Sequence, residues 1–277
     1  MYQPMNTADG STQYRKVLLY AHHGWGKTTQ AVHYQREYGP GFIISGESGL
    51  GSIRSAGIDY LPFSSWDGEH DPAKGVFSFR GIIRLMATPE FKAKGYSWVM
   101  LDSLTELSDH AYKFAEEKAN ANPGKDGKVN GFAIWEEYGA MMIGACKHIR
   151  DMKAHVIVTA LAKESEDENG NVKHMPMIRG KAAQGQIPGI FDCVLCGVKR
   201  TSGSVDPATG ASTGMKTIHY IITDEIRGWH GKVRDEKRRL SAVESESDIT
   251  KLFKKMEMPD TEYEAWLKTK TTEGVSK

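Results

Sequence analysis

The patterned part of the chain opens on a short apolar run, RKVLLY at 15–20, and a run with no polar face predicts a strand buried on both sides. Residues 27–38 follow a helical spacing, and a small glycine-containing loop separates the two, so the order is strand, loop, helix. GFIIS at 41–45 predicts a second strand, ending in a turn around Glu47 that Gly46, Gly49 and Gly51 mark, with a short strand expected at 60–63. Residues 78–94 place Phe79, Ile82, Ile83, Met86 and Phe91 roughly on one face of a helix and lead into YSWVMLDS at 96–103, a central buried strand. A helix over 133–153 then precedes HVIVTAL at 155–161, a strand of the same kind. Helices that alternate with strands lacking a polar face imply an α/β fold, a parallel sheet covered on both sides.

The rest of the chain is more polar. Residues 162–186 are too long for an ordinary connection and are expected to form a mobile functional loop. Two further strands, CVLCGVKR and TIHYIITD, are joined by TSGSVDPATGASTGMK, whose Gly, Ser and Thr suit a flexible hairpin loop. Beyond 240 the composition turns polar, with one weakly amphipathic helix, DITKLFKKMEM, and a charged, frayed end. The expected organisation is a flexible N-terminus at 1–13, one domain at 14–240, and a polar C-terminal helix and tail at 241–277, with no internal repeat.

Composition narrows the function classes. At 277 residues the chain suits one α/β domain with additions, and its 39% hydrophobic and 26% charged residues are ordinary for a water-soluble protein. No apolar run approaches the roughly 20 residues that cross a bilayer, and the N-terminus lacks the basic-then-apolar order of a secretory signal, so residence in the cytoplasm is expected. Three cysteines are too few for a disulfide framework; Cys193 and Cys196, inside FDCVLCGV, read as core, since a zinc site needs further ligands at matching spacing. A net charge of +1 excludes a strongly basic surface, leaving any nucleic-acid contact to a local cluster.

A phosphate chain is held by closely spaced backbone N–H groups, a helix N-terminus aimed at it and a cation between the outer phosphates. The segment AHHGWGKT, from Ala21 to Thr28, offers all three. Gly24 and Gly26 let the backbone curl, Lys27 reaches the outer phosphates, the Thr28 hydroxyl is placed to ligate magnesium, and Thr29 follows where the inner phosphate lies. The usual pattern is G-x-x-x-x-G-K-[ST]; Ala21 stands where it has its first glycine, which restricts φ at that turn. His22, His23 and Trp25 are the unusual occupants, expected on the solvent side of the loop or stacking on a base. Asp102 ends the strand VML, where a carboxylate would hold magnesium opposite Thr28; its alternative role is to cap the next helix. Glu47, at the end of the second strand, is the carboxylate best placed to orient or deprotonate an attacking water.

The order of this loop and its helix, GFIISGESG with its glutamate, VMLDS, HVIVTAL and a long polar segment resembles that of the RecA-like ATPases over roughly residues 14–235. Within them, MPMIRGKAAQGQIPGIFDCVL looks like the phage nucleotide-binding proteins of single-strand annealing and recombination. The resemblance implies a RecA-like P-loop NTPase with a mainly parallel central sheet flanked by helices on both faces. It implies nucleotide contacts from Gly24, Gly26, Lys27, Thr28 and Thr29, with His23 and Trp25 in the same loop, magnesium at Thr28 and Asp102, and water activation by Glu47. Thr159 falls about where the family places a polar sensor of the γ-phosphate, although many relatives have Gln there or one step on. RecA-like enzymes commonly assemble head to tail with ATP at the interface, which makes Arg227 and Lys232 candidates to act in a neighbour's site.

The cluster RGWHGKVRDEKRR holds six basic residues around Trp229, suited to phosphate contact and base stacking on single-stranded DNA or to a plain solvated surface. The polar segments after Asp102 and Thr159, where such proteins present DNA-binding loops, contain Lys125, Lys128, Lys163, Lys173, Arg179 and Lys181. The acidic start KESEDE disfavours DNA and leaves 173–181 as the better candidate.

These features point to a protein that binds ATP with magnesium, hydrolyses it slowly and acts on single-stranded DNA in phage-type recombination, annealing or replication. It would be a homo-oligomer, in the host cytoplasm if phage-encoded, with a single-strand-binding protein as a candidate partner. The alternative is a non-enzymatic nucleotide-dependent regulator or loader of a replication complex. A small-molecule kinase would show an acceptor pocket and an arginine-rich lid, and the sequence displays neither.

Overall fold

Alternation inside the apolar runs decides which way each side chain faces. The computed structural model describes residues 14–47, 49–124, 127–205, 208–210 and 212–274; the expected N-terminal segment 1–13 and Lys125 lie outside them. The first half comprises β1 (Lys16–Ala21), α1 (Gln30–Tyr38), β2 (Gly41–Ser45), β3 (Asp59–Pro62), α2 (Phe79–Met86), α3 (Pro89–Lys92), β4 (Trp98–Asp102) and α4 (Leu104–Ala121). Next come α5 (Gly131–Arg150), β5 (His155–Glu166), β6 (Val172–Pro176), α6 (Lys181–Ile190), β7 (Cys193–Val205) and β8 (Ser212–Ile222). The chain closes with β9 (Glu225–Ile226), β10 (Trp229–His230), β11 (Lys232–Val233), β12 (Val243–Glu244), α7 (Ile249–Glu257) and α8 (Asp260–Gly274).

The central sheet runs β12-β8-β7-β1-β5-β4-β2-β3. From β7 to β3 the neighbours are parallel, while β8 and β12 add an antiparallel edge. Leu18, Phe42, Val99 and Val156 face one core, which α2, α4, α5 and α6 cover with Ile82, Leu107, Met142 and Ile187. Val17, Ile43, Met100 and Ile157 face the other, covered by Tyr34 of α1 and Leu252 and Phe253 of α7. The fold is therefore the expected α/β architecture, a mainly parallel sheet flanked by helices on both faces. Cys193 and Cys196 are fully buried and face opposite cores, so they share no ligand; burial pushes their thiols up, to about 11 and about 12. No helix among the described residues is long and apolar enough to cross a membrane.

Between residues 78 and 222 three expectations are corrected. The helix expected over 78–94 is two, because Pro89 starts α3 behind a Thr88 cap whose side chain accepts from Phe91 N. The expected mobile loop at 162–186 is built structure. β5 continues to Glu166, the Asp167 carboxylate accepts from the backbone N–H groups of Asn169 and Asn171 to close a turn, and β6 returns antiparallel before α6. Its polarity reflects a hairpin that projects into solvent, with β5 exposed from Lys163 to Glu166. The expected flexible loop between β7 and β8 is mostly ladder, paired out to Val205 and Ser212; Asp206, Pro207 and Ala211 lie outside the described residues.

The expected helix DITKLFKKMEM is α7, and the charged end beyond it forms α8 rather than fraying before Gly274. In α7 the apolar stripe of Ile249, Leu252, Phe253 and Met256 is buried on the sheet, while Lys251 and Lys254 are exposed and Lys255 pairs with Glu244. Truncation of a large buried ring costs about 3–5 kcal/mol. Phe253→Ala is therefore expected to lower the unfolding free energy by about that much in a denaturant titration. A change within about 0.5 kcal/mol, the scale of an ordinary surface substitution, would mean that α7 does not belong to the cooperative core.

Candidate active site

β1 ends at Ala21 and the chain turns through a loop before α1. Gly24 and Gly26 hold φ of 70° and 103°, a region that only glycine enters without strain. Ala21 itself stays in the strand, opposite Leu161 and Gly197, so the expected restriction at this position does not arise. The accommodation lies in the neighbouring strand. A Cβ on Gly197 would sit 2.8 Å from Ala21 Cβ and 2.4 Å from the Trp25 ring, so Gly197 leaves room for both.

Trp25 is corrected. It is 2% exposed, donates from Nε1 to Tyr220 O at 3.2 Å and stacks on His219, so it anchors the loop to β8 and is shut off from solvent and from any base. His22 and His23 are exposed, as expected. Backbone N–H groups of Gln30, Ala31 and Val32 donate to the carbonyls of Lys27, Thr28 and Thr29 at 3.0–3.1 Å, which starts a helical turn at the loop. The N–H groups of Lys27, Thr28 and Thr29, which precede those donors, have no helical acceptor and are available to an anion.

Lys27 is 8% exposed, and its ammonium donates to Ala21 O at 3.1 Å and His22 O at 3.3 Å. Burial lowers its pKa, opposed by the nearby carboxylates of Glu47 and Asp102. A Cβ on Gly24 would lie 3.3 Å from Lys199 Nζ, so β7 brings a second cation over the loop. Sequence reasoning missed it: Lys199 reads only as the polar end of CVLCGVKR.

Asp102 closes β4 two strands away from β1, with β5 between them. It is 1% exposed; Thr28 Oγ1 donates to Oδ2 at 2.8 Å and Thr159 Oγ1 donates to Oδ1 at 2.5 Å. The alternative capping role belongs to Ser103, whose Oγ accepts from Glu106 N at 3.4 Å. Ser103 Oγ also donates to Glu47 Oε1 at 2.5 Å, and Ser45 Oγ donates to Glu47 O at 2.8 Å, so two hydroxyls hold Glu47 beside Asp102. Neither serine was singled out from sequence, because a hydroxyl after a strand carries no pattern of its own. Glu106 lies in the same group, its pKa raised by burial and then by Glu47 and Asp109.

Burial holds the Asp102 carboxyl above its ordinary pKa; the Thr159 and Thr28 hydroxyls and Lys27 pull it down, and Glu47 pushes it further up. A raised folded pKa supports stability below the unfolded pKa and loses that support as pH rises through the folded value. Asp102→Asn keeps the shape and removes the buried charge. The ligand-free variant is expected to melt above the native chain at neutral pH, with the gap closing toward about pH 4. Thermal unfolding across that range tests this; a lower melting temperature at neutral pH would contradict it.

The remaining candidates lie apart. Arg227 is exposed in the turn between β9 and β10, with φ of 51°, outside the hydrogen-bonded set around Asp102. Trp229 is corrected: it is 6% exposed, stacked on Tyr20 and His174, and closed to a base. Much of the basic cluster is used internally, with Lys232 donating to Pro188 O, Arg234 paired with Asp192, Lys237 with Asp260, and buried Arg239 with Met258 O and Asp260. Lys173 pairs with Asp167, and Arg179 pairs with Asp109 while lying over the Tyr112 ring.

Among curated proteins, none matches the chain. Among solved structures, it is similar to the flagellar accessory protein FlaH of Methanocaldococcus jannaschii at 10% identity over 84% of this chain and 91% of that one, with a TM-score of 0.35. It is similar to the RadB recombinase at 14% identity over 78% and 92%, TM-score 0.35. A type III secretion system ATPase of pathogenic bacteria matches at 13% identity over 66% and 51%, TM-score 0.36. The family model described as an AAA domain, AAA_24, matches residues 13–234, a span that holds the loop, Glu47, Asp102 and Thr159. The chain belongs to this AAA domain family.

Proposed function

We propose that the chain binds ATP with magnesium at residues 21–29 and hydrolyses it, using the nucleotide to govern action on single-stranded DNA in recombination, annealing or replication. The observation that carries the nucleotide half is the 2.8 Å contact between Thr28 and Asp102, 74 residues apart, at the mouth of a loop with two left-handed glycines. The donor set fits the group: a hydroxyl and a carboxylate are hard oxygen ligands of the kind magnesium takes. Magnesium bound with the triphosphate supplies charge neutralisation across the outer phosphates. Lys27, now on the carbonyls of Ala21 and His22, exchanges those acceptors for phosphate oxygens, and Lys199 adds a second positive charge. Glu47, oriented by Ser103, takes the proton of the attacking water. Thr159 fixes the Asp102 carboxylate, and Arg227 or Lys232 serves a neighbouring subunit of a homo-oligomer.

A cleft of about 600 Å³ supports the DNA half. Lys163, Arg179 and Lys181 line it together with Trp135, which is 44% exposed, against Glu166 and the Asp109 that pairs with Arg179; the excess of cations beside an accessible aromatic ring suits a backbone with unstacked bases. The test is fluorescence binding of single- and double-stranded DNA, with and without ATP and magnesium, across salt. The combined variant Lys163→Ala, Arg179→Ala, Lys181→Ala is expected to weaken single-strand binding uniformly across sequences. Its salt slope should fall by about 0.7 for each phosphate that is no longer neutralised. Absence of binding to either DNA form under all conditions would remove the DNA half. Tight ATP binding without turnover would instead favour a regulator or loader.

A further inference from the structure

His22, Glu164 and His174 come from the loop after β1, the far end of β5 and β6, and the fold brings their ligand atoms within 4.8 Å of one another. His22 Nε2 lies 3.3 Å from Glu164 Oε1, and His174 Nδ1 lies 3.7 Å from the same oxygen. His174 Nδ1 is shielded from solvent and has no hydrogen-bond partner. A buried imidazole nitrogen left without a partner is costly, and a bound cation would satisfy it.

We propose that these three side chains bind a divalent transition metal of the zinc class, with a fourth position open to water. A tetrahedral ion with bonds of about 2.0–2.2 Å separates its ligands by about 3.3–3.5 Å. The two separations to Glu164 Oε1 already stand near that value, and rotation of the exposed His22 side chain, 46% accessible, closes the third. Two imidazoles and one carboxylate select zinc, cobalt, nickel or copper over magnesium and calcium, which prefer oxygen. The site is therefore chemically separate from the oxygen-only pair of Thr28 and Asp102.

The surroundings hold His174 in place. Its ring stacks on Trp229 with centroids 4.0 Å apart and planes at 10°, and its carbonyl accepts from Tyr20 OH at 3.0 Å. His22 meets Trp229 edge-on at 5.6 Å. The His22 carbonyl is one of the two acceptors of Lys27, so a metal on its side chain would tie the β5–β6 hairpin to the start of the phosphate loop.

The experiment uses the full chain, stripped of metal by a chelator and kept free of nucleotide, so that its outcome is independent of ATP binding. Cobalt(II) is titrated while its visible absorption bands and the tryptophan fluorescence are recorded, and zinc is then added to displace it. Expected are saturation at one ion per chain, bands of low coordination number, displacement by zinc and quenched fluorescence. His22→Ala, exposed and away from the core, and His174→Ala should each weaken binding by at least about 10- to 100-fold, the scale seen for removing even an outer-sphere partner. Trp229→Phe should keep the absorption change and lose most of the quenching. Affinity weaker than about 1 mM, or binding unchanged in both histidine variants, overturns the proposal. Matching far-ultraviolet circular dichroism of the metal-free proteins guards against loss of fold.

Discussion

Lys27→Ala is expected to remove ATP turnover almost completely, by at least about 10²–10³-fold in kcat, the scale of deleting one preorganised charge-stabilising donor. The reason is positional. The ammonium is 8% exposed, held against the carbonyls of Ala21 and His22, and flanked by Glu47 and Asp102. A cation already drawn out of water needs little reorganisation to meet a phosphate oxygen, whereas alanine removes the buried ammonium between the carboxylates and the triphosphate. Equilibrium binding of ATP with magnesium, together with phosphate release, measures both consequences. Affinity equal to that of the native chain would remove the nucleotide assignment, because Lys27 is the ammonium that the loop itself presents.

Glu47→Gln is expected to separate binding from chemistry: ATP affinity within a few-fold of native, and turnover down by about 10²–10⁴-fold, the contribution of one general base. The amide can still accept from Ser103 Oγ, so the local geometry survives while the proton acceptor is gone. Ser103→Ala provides the matching measurement. It keeps the carboxylate but releases its orientation, so kcat should fall less than in Glu47→Gln, with the KM for ATP little changed. If Glu47→Gln turns over normally, Glu106, the neighbouring carboxyl whose pKa burial and Glu47 raise, becomes the group to test as the base. Single-turnover phosphate release resolves the two steps.

What was legible in the sequence was whatever has a local cause. Five-to-seven-residue apolar runs bounded by turn residues are too short for a buried helix and form buried strands, and GFIIS matches β2 at both ends. Gly24 and Gly26 need left-handed backbone, and a Lys-Thr pair at a helix start needs an anion, so the loop was visible before any fold was known. The placement of Asp102 at the end of a strand is likewise local, and the structure sets it opposite Thr28.

Other features had no local cause. Trp25 and Trp229 read as exposed aromatics in polar stretches, yet the first is roofed by β8 and the second is wedged between Tyr20 and His174. The hairpin at β5–β6 was hidden because β5 is exposed on both faces from Lys163 to Glu166, which erases the alternation that marks a strand. Ala21 looked like a defect in the motif, and only the neighbouring strand shows that Gly197 makes the space for it.

By itself the sequence determined the α/β alternation, the glycine turns of the loop after β1 and the positions of Lys27 and Thr28 at a helix start and of Asp102 at a strand end, since backbone sterics and hydrophobic periodicity act between near neighbours. Tertiary structure alone decided that Ser103 orients Glu47, that Lys199 overhangs Gly24, and that His22, Glu164 and His174 converge. Those relations join residues on separate strands and loops, and no spacing along a chain records the distance between strands that a sheet brings side by side.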